Sequence, residues 1–466
     1  MIVLRLPYIY IVAVVLLSFS LTQCKSQGNS VQIPGPDNRG SLSYEEEYSV
    51  TLKDSGLPVS EHLMGFNLVY SREKDAIWQD RKVEGYLKNV NTSILRWPGG
   101  TVSSFYHWNE LTGEGWRDSW DPENPVTPKD GSEFMDLDEY IDLIRATGAT
   151  PLVGINMSSG WRWNRLEDGI SEALDLMRYC QEQGFDVEYW YLDNEPYQHD
   201  SNGGEKTIEE YAELINRFVP RMREINPDIK TIANWPPAFK NRRKDYQTLL
   251  NIAGDNIDII DVHNYWSWSN PNMELWLSHT PMRMWAGDTY VEEIDYFRQM
   301  VADFGYPDMQ LASLEWNVGP LNNDQLTSHQ AALIQSEMMM QFIIGGLDIA
   351  VFWPIHWPSQ RIITRRLIDP ETLKPQPNYS IFRFLGQLQG GVVMEEEVTK
   401  ALPHVLHLAV KDEEEGMIRV CFLNKNSDNV RVNIESDLFR GLILQEAKTF
   451  TLLNSGSGSE IDTIEL

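Results

Sequence analysis

The chain predicts an α/β fold, a parallel (β/α)8 TIM barrel followed by a small antiparallel β-sandwich. Three observations carry that expectation. Short apolar runs alternate with helical patterns eight times from residue 45 onward, as in a parallel sheet closed on itself. Several of these runs are apolar at nearly every position, as strands covered on both faces must be. From residue 390 the runs become short and alternating, with turn residues between them, which marks antiparallel pairing.

Taken in order, Arg5 precedes an apolar segment over residues 8–17, followed by Leu21, Thr22, Gln23 and Cys24. That segment is short for a membrane span and has the layout of an export signal. Cys24 stands where a bacterial lipoprotein box has its lipidated cysteine, although Gln23 replaces the small residue usual before it. Residues 1–24 are therefore expected to direct export, with lipidation at Cys24 or ordinary cleavage nearby. The expected location is outer-membrane, periplasmic or secreted, with membrane contact only through that lipid. Residues 25–44, rich in Gly, Pro, Ser and Asn, read as a tether. Beyond them, Cys180 and Cys421 are too few for a disulfide framework.

The barrel unit is expected over residues 45–389, with strands at 62–70, 93–97, 151–156, 187–194, 230–235, 257–265, 309–316 and 349–356. A strand at 48–52 precedes them and can join the terminal sandwich. Helices are expected at 136–147, 171–183, 208–225, 246–253, 290–304, 328–344 and 379–388. Residues 101–132, dense in Trp, Asp and Pro, form a long aperiodic stretch, and loops of that length are usually functional. The sandwich, residues 390–466, has runs at 405–410, 417–423, 430–434 and 448–452.

Composition narrows the function. A formal charge of −29, from 68 acidic and 39 basic side chains, excludes a nucleic-acid partner, which requires clustered Lys and Arg. The 16 Trp and 19 Tyr fall largely near strand ends, where flat rings suit sugar stacking as well as core packing.

Two strand-end glutamates hold the chemistry. Tyr189, Trp190, Tyr191 and Leu192 lead into Asp193, Asn194, Glu195 and Pro196, and the proline ends any sheet pairing. Barrel enzymes keep their reacting groups at such C-terminal strand ends. Residues 309–314 lead likewise into Glu315, Trp316 and Asn317. Hydrolysing a glycosidic bond with retention needs two carboxyl groups about 5–5.5 Å apart. Glu195 is expected as acid/base, its pKa raised by burial and the neighbouring charge, and Glu315 as the nucleophile. Arg96 and Tyr265 are placed to hold Glu315 ionised, and Asn194 to bond the sugar hydroxyl beside the anomeric carbon.

The remaining candidates have two readings each. His263 is a satisfied core histidine or a hydrogen-bonding group of the sugar site, and Asn156 supports that site from the end of the third strand. Trp97, Trp266 and Trp353 are stacking platforms or core lids. Gly99 and Gly100 lack a phosphate-loop lysine and imply close backbone packing. Arg361, Arg365 and Arg366 suit an anionic or sulfated chain, or salt-bridge on an acidic surface. His107, His263 and His356 are too scattered for a metal triad, so neither metal nor cofactor is expected.

These motifs resemble the retaining glycoside hydrolases of clan A, and most of all the α-L-arabinofuranosidase family. The resemblance rests on Arg96-Trp97-Pro98-Gly99-Gly100, the run from Tyr189 to Glu195, His263-Asn264-Tyr265 and Glu315-Trp316-Asn317-Val318. It implies a barrel with a C-terminal sandwich, Glu195 as acid/base, Glu315 as nucleophile and a polysaccharide or oligosaccharide substrate. Asp193 departs from the glycine usual in that family. β-Agarases and porphyranases share the paired glutamates and an Arg-to-Gly-Gly motif, which makes endo-acting galactan hydrolysis the alternative. A surface lipoprotein that binds glycan without cutting it is the alternative of another class.

Overall fold

The computed structural model describes residues 46–54, 56–109, 118–123, 134–198, 204–268, 270–319, 326–357, 365–425 and 430–436. It also gives the backbone of strands Ile2–Leu4, Ala13–Leu21, Val31–Gln32, Leu442–Thr451 and Ile461–Ile464. Cys24, Arg361 and much of the 101–132 stretch lie outside the described residues.

Eight parallel strands close into the expected barrel: β1 (His62–Asn67), β2 (Ile94–Trp97), β3 (Thr150–Ile155), β4 (Tyr189–Leu192), β5 (Lys230–Asn234), β6 (Ile259–Trp266), β7 (Gln310–Val318) and β8 (Ile349–Phe352). The strands are apolar on both faces because each face has its own core. Ile94, Leu152, Tyr191, Ile232, Ile259, Leu314 and Val351 form one cluster drawn from β2 to β8, so they fill the lumen. The alternate side chains pack outward against the helices in a second, larger core.

Local chemistry sets the helix starts. Asp136 with Glu139, Thr207 with Glu210, Thr289 with Glu292 and Thr327 with Gln330 each form a capping box. The helix Leu166–Glu182 begins before the expected residue 171, because Leu166, Ile170 and Ala173 already place a stripe on the core. Ser328–Gly345 is buried nearly all round, so its apolar pattern has no polar face.

Two further sheets pack beside the barrel, the first with two parallel and two antiparallel pairings, where an antiparallel sandwich was expected, and the second wholly antiparallel. One orders Glu395–Lys400, Glu46–Lys53, Val430–Glu435, Ile2–Leu4 and Val31–Gln32; the other orders Val392–Val393, Val405–Asp412, Met417–Asn424, Ala13–Leu21, Leu442–Thr451 and Ile461–Ile464. Part of the apolar run read as an export signal thus lies in a strand, paired with Met417–Asn424 and Leu442–Thr451. An uncharged run rich in Val, Ile and Leu has the same pattern in a leader as in a central strand, so periodicity does not separate the two. Lys425 joins this unit to the barrel: its ammonium lies 2.8 Å from Glu337 on the helix Ser328–Gly345, and both side chains are fully buried.

Candidate active site

The end of β4 is shaped by two residues in left-handed backbone, Asp193 at φ 67° and Glu195 at φ 41°. Aspartate visits that region more readily than most residues, and its side chain holds the turn here. The Asp193 carboxylate accepts from the Asn194 amide at 3.1 Å and from Ser158, and lies 3.2 Å from the Lys206 ammonium. Neither Asp193 nor Lys206 has an exposed side chain. Lys206 also sits 4.7 Å above the Trp161 ring. The Glu195 amide donates to Asn234 at 3.0 Å, and Asn234 in turn donates to Asp261 at 2.6 Å. The carboxyl of Glu195 therefore leaves β4 in a direction fixed by both neighbouring strands.

Glu315 projects from β7 beside β6. Pairing along β7 slips between Asp261 and His263 on one side and between Ser313 and Trp316 on the other, and such irregularities re-aim side chains at barrel rims. One carboxylate oxygen of Glu315 accepts from Arg96 at 2.9 Å, the other from the Tyr265 hydroxyl at 2.6 Å. Arg96 is fully buried, bonds Asn67 at 3.0 Å and Asn194 at 2.7 Å, and lies 4.2 Å over the Tyr191 ring. His263 Nδ1 is 2.9 Å from Glu195 and 3.5 Å from Glu315, so the imidazole bridges the two carboxylates.

The charge distribution follows from that geometry. Burial alone would lower the His263 pKa, but Glu315 and Asp261 raise it to about 10, so the ring is an imidazolium at neutral pH. Burial, with the charge of Glu315, holds the Tyr265 hydroxyl well above its usual range and keeps it a donor. Glu195, His263 and Glu315 each offer a donor atom within 4.8 Å of the others. An ion could be gripped there, yet all three already serve one hydrogen-bonded network.

A cavity of about 590 Å³ opens onto this network, within the usual range for small-molecule sites. Glu195, Glu315, His263, Tyr265 and Trp353, all singled out from sequence, line it. Arg96 and Asn194 stand directly behind them. Trp353 rests on Gly100, where φ is 66° and a Cβ would lie 2.3 Å from the indole, so the expected close packing falls here.

Three expected residues do not reach the cavity. Trp97 is fully buried and stacks on Tyr140 at 5.5 Å, which makes it a core residue. Trp266 is buried and donates to the Arg283 carbonyl, because the side chains of β6 alternate and Tyr265 takes the inward position. Asn156 donates to Ser159 and the Tyr106 carbonyl and accepts from the Ser159 amide, so it turns toward the start of the short helix after β3. Sequence reasoning missed Tyr197, whose hydroxyl donates to Glu195 at 3.2 Å, and the rim residues Trp268 and Trp285. Tyr197 follows Glu195 by two residues, and that proximity was the available signal. His107 has a structural role: it lies between Asp118 at 3.1 Å and Glu172 at 2.8 Å, pinning its loop to the helix Leu166–Glu182.

Comparison with known proteins agrees with this architecture. Residues 86–280 match the family model described as the α-L-arabinofuranosidase 1 domain. An intracellular exo-α-L-arabinofuranosidase of Bacteroides ovatus is 26% identical over 385 residues, covering 74% of this chain and 72% of that protein. An intracellular exo-α-(1→5)-L-arabinofuranosidase of Acetivibrio thermocellus is 23% identical over 295 residues, 54% of this chain and 50% of its own length. The chain spans 50% of the length of the A. thermocellus relative and 41% of one from Streptomyces lividans, so it matches only about half or less of those proteins. Among solved structures, the α-L-arabinofuranosidase of Thermotoga maritima in complex with arabinose has a TM-score of 0.66 at 18% identity, over 90% of this chain and 97% of that one. A family 51 α-L-arabinofuranosidase from Bifidobacterium longum reaches 0.70 at 14% identity, over 91% and 96% of the two chains. The chain is most like the α-L-arabinofuranosidases of clan A. One expectation is corrected here: relatives from A. thermocellus, Streptomyces lividans and B. ovatus are all named intracellular, which overturns the outer-membrane, periplasmic or secreted placement.

Proposed function

We propose that this α-L-arabinofuranosidase-like barrel is a retaining glycosidase that releases L-arabinofuranosyl units from an oligosaccharide or polysaccharide. Glu195 is its acid/base and Glu315 its nucleophile. The observation that carries the reading is the spacing of the two carboxylates, which approach within 4.8 Å. Retaining enzymes hold their pair at about 5–5.5 Å, whereas inverting ones leave about 6.5–9.5 Å for a water.

Glu195 gives its proton to the leaving glycosidic oxygen while Glu315 attacks the anomeric carbon; the C–O bond breaks and a glycosyl ester forms. Glu195, now a carboxylate, takes a proton from water, whose oxygen displaces the ester and returns Glu315 to its charged form. Arg96 and Tyr265 grip the two oxygens of Glu315, directing its attack and accepting it back as an anion. His263 donates to Glu195 at 2.9 Å, and this contact steadies Glu195 in its carboxylate state between the steps.

The test is a pair of variants assayed on aryl α-L-arabinofuranosides, with the product anomer followed by NMR. Glu315→Ala is expected to abolish turnover on every leaving group, since no ester can form. Glu195→Ala is expected to spare substrates with good leaving groups in the first step, and azide to restore part of the second. Inversion at the anomeric carbon, or appreciable turnover by Glu315→Ala, rules the assignment out.

A further inference from the structure

Arg365 has a surplus that the proposed reaction does not use. It is 1% exposed and lines the cavity beside Glu315; its three guanidinium nitrogens make no hydrogen bond of good geometry among the described residues, and the Tyr265 side chain is the group they approach. It lies 4.6 Å from the centroid of the Tyr265 ring and 5.8 Å from that of Trp268. Those ring faces offset part of the cost of burying the charge, but they leave the donor fork unsatisfied.

Its position is built. Asn317, two residues beyond Glu315, donates to the Arg365 carbonyl at 2.7 Å and also to the Trp353 carbonyl. Gln335 donates to Asn317 at 2.8 Å. The neighbouring Arg366 shows the ordinary outcome, with Asp369 and the Trp357 carbonyl as partners. Partners are not scarce in a chain with 68 acidic and 39 basic side chains. A guanidinium without a well-formed hydrogen bond among the described residues, at the wall of a substrate cavity, leaves its fork available to something that enters.

Local charge points to the sign of that ligand. Arg96, Arg365 and the His263 imidazolium face Glu195, Glu315 and Asp261, which balances. Once Glu195 carries the proton that its acid role requires, one positive charge remains.

We propose that Arg365 is a specificity determinant that binds an anionic substituent, a carboxylate or a sulfate ester, on the sugar chain occupying this cavity. The bidentate fork matches either oxyanion, and Trp268, half exposed at the rim, supplies a stacking face for the ring that carries it. The proposal deepens the glycosidase reading and rests on it for the identity of the ligand as a sugar, not for the anion.

The test is calorimetric titration of the wild-type protein with galacturonate, galactose 6-sulfate and galactose, none of which is a glycoside to be cleaved. At least one anionic sugar is expected to bind about tenfold or more tightly than galactose, as a charged fork-to-oxyanion bond provides. Preference for galacturonate alone assigns a carboxylate, and for the sulfate alone a sulfate ester. Arg365→Gln is expected to erase the preference. Arg365→Lys, which keeps the charge without the fork, is expected to retain part of it, and guards against a fold lost with glutamine. Equal or absent binding of all three sugars by the wild type overturns the proposal, as does a preference that survives in Arg365→Gln. Failure of the arabinofuranosidase assay with the preference intact would sink only the reaction.

Discussion

Lys206→Met isolates the device that aims Glu195. In the folded chain the Lys206 ammonium and the Asp193 carboxylate meet at 3.2 Å, with neither side chain exposed. Methionine keeps the length of the stem and its contact with Trp161, but among the described residues it leaves a buried carboxylate with the Ser158 hydroxyl and the Asn194 amide alone. Removing one partner of a buried pair costs about 3–5 kcal/mol, because the remaining charge is uncompensated. The urea midpoint is expected to drop accordingly with little change in slope. Asp193→Asn with Lys206→Met removes both charges while retaining a side chain that tolerates φ near 67°, so most of the loss is expected to return. Turnover follows the same order: Asp193 begins the turn that carries Glu195, so Lys206→Met slows substrates with poor leaving groups more than those with good ones. Two results refute the reasoning. One is a Lys206→Met midpoint within about 1 kcal/mol of wild type, since surface-like pairs contribute no more than that. The other is a double variant no more stable than the single.

Further expectations follow from the same geometry. Tyr265→Phe removes one of the two donors to Glu315 and is expected to lower kcat/KM about 100-fold on aryl glycosides, the scale of losing one preorganised donor; an unchanged rate contradicts its role. For His107, burial alone would lower the pKa, but Asp118 and Glu172 raise it to about 9, above the ordinary 6.5. A pKa raised by folding stabilises below about 6.5 and loses that contribution as pH climbs through about 9. The difference in urea midpoint between wild type and His107→Asn should therefore be largest near pH 6 and shrink by pH 9.5; a difference that grows with pH has the wrong sign. A chelator should leave activity unchanged, since His263 as an imidazolium has no ring lone pair to offer a metal between Glu195 and Glu315; loss of activity on chelation would require a metal in the mechanism.

Much of the barrel was legible because a parallel strand buried on both faces writes an unbroken apolar run into the sequence, and the capped helices between such runs announce their own starts. The same logic located Glu195 and Glu315, since a polar residue that abruptly ends an apolar run must emerge at a rim. Arg96 and Tyr265 were reachable by the same reasoning, as polar residues at the ends of their own strands, and His263 stood on the strand that ends in Tyr265. What tertiary structure alone decided is direction. Trp97 and Trp353 look alike at strand ends, yet one stacks on Tyr140 in the core and the other rests on Gly100 over the cavity. Arg365 and Arg366 are adjacent, yet Arg366 pairs with Asp369 while Arg365 has no carboxylate partner among the described residues and lies over the Tyr265 ring. Asp193, which departs from the family's glycine, became intelligible only beside Lys206, thirteen positions along the chain. Sequence determines which residues reach a strand end, because burial and pairing are local and periodic; which way a side chain points, and what meets it there, depends on neighbours that only the closed barrel brings together.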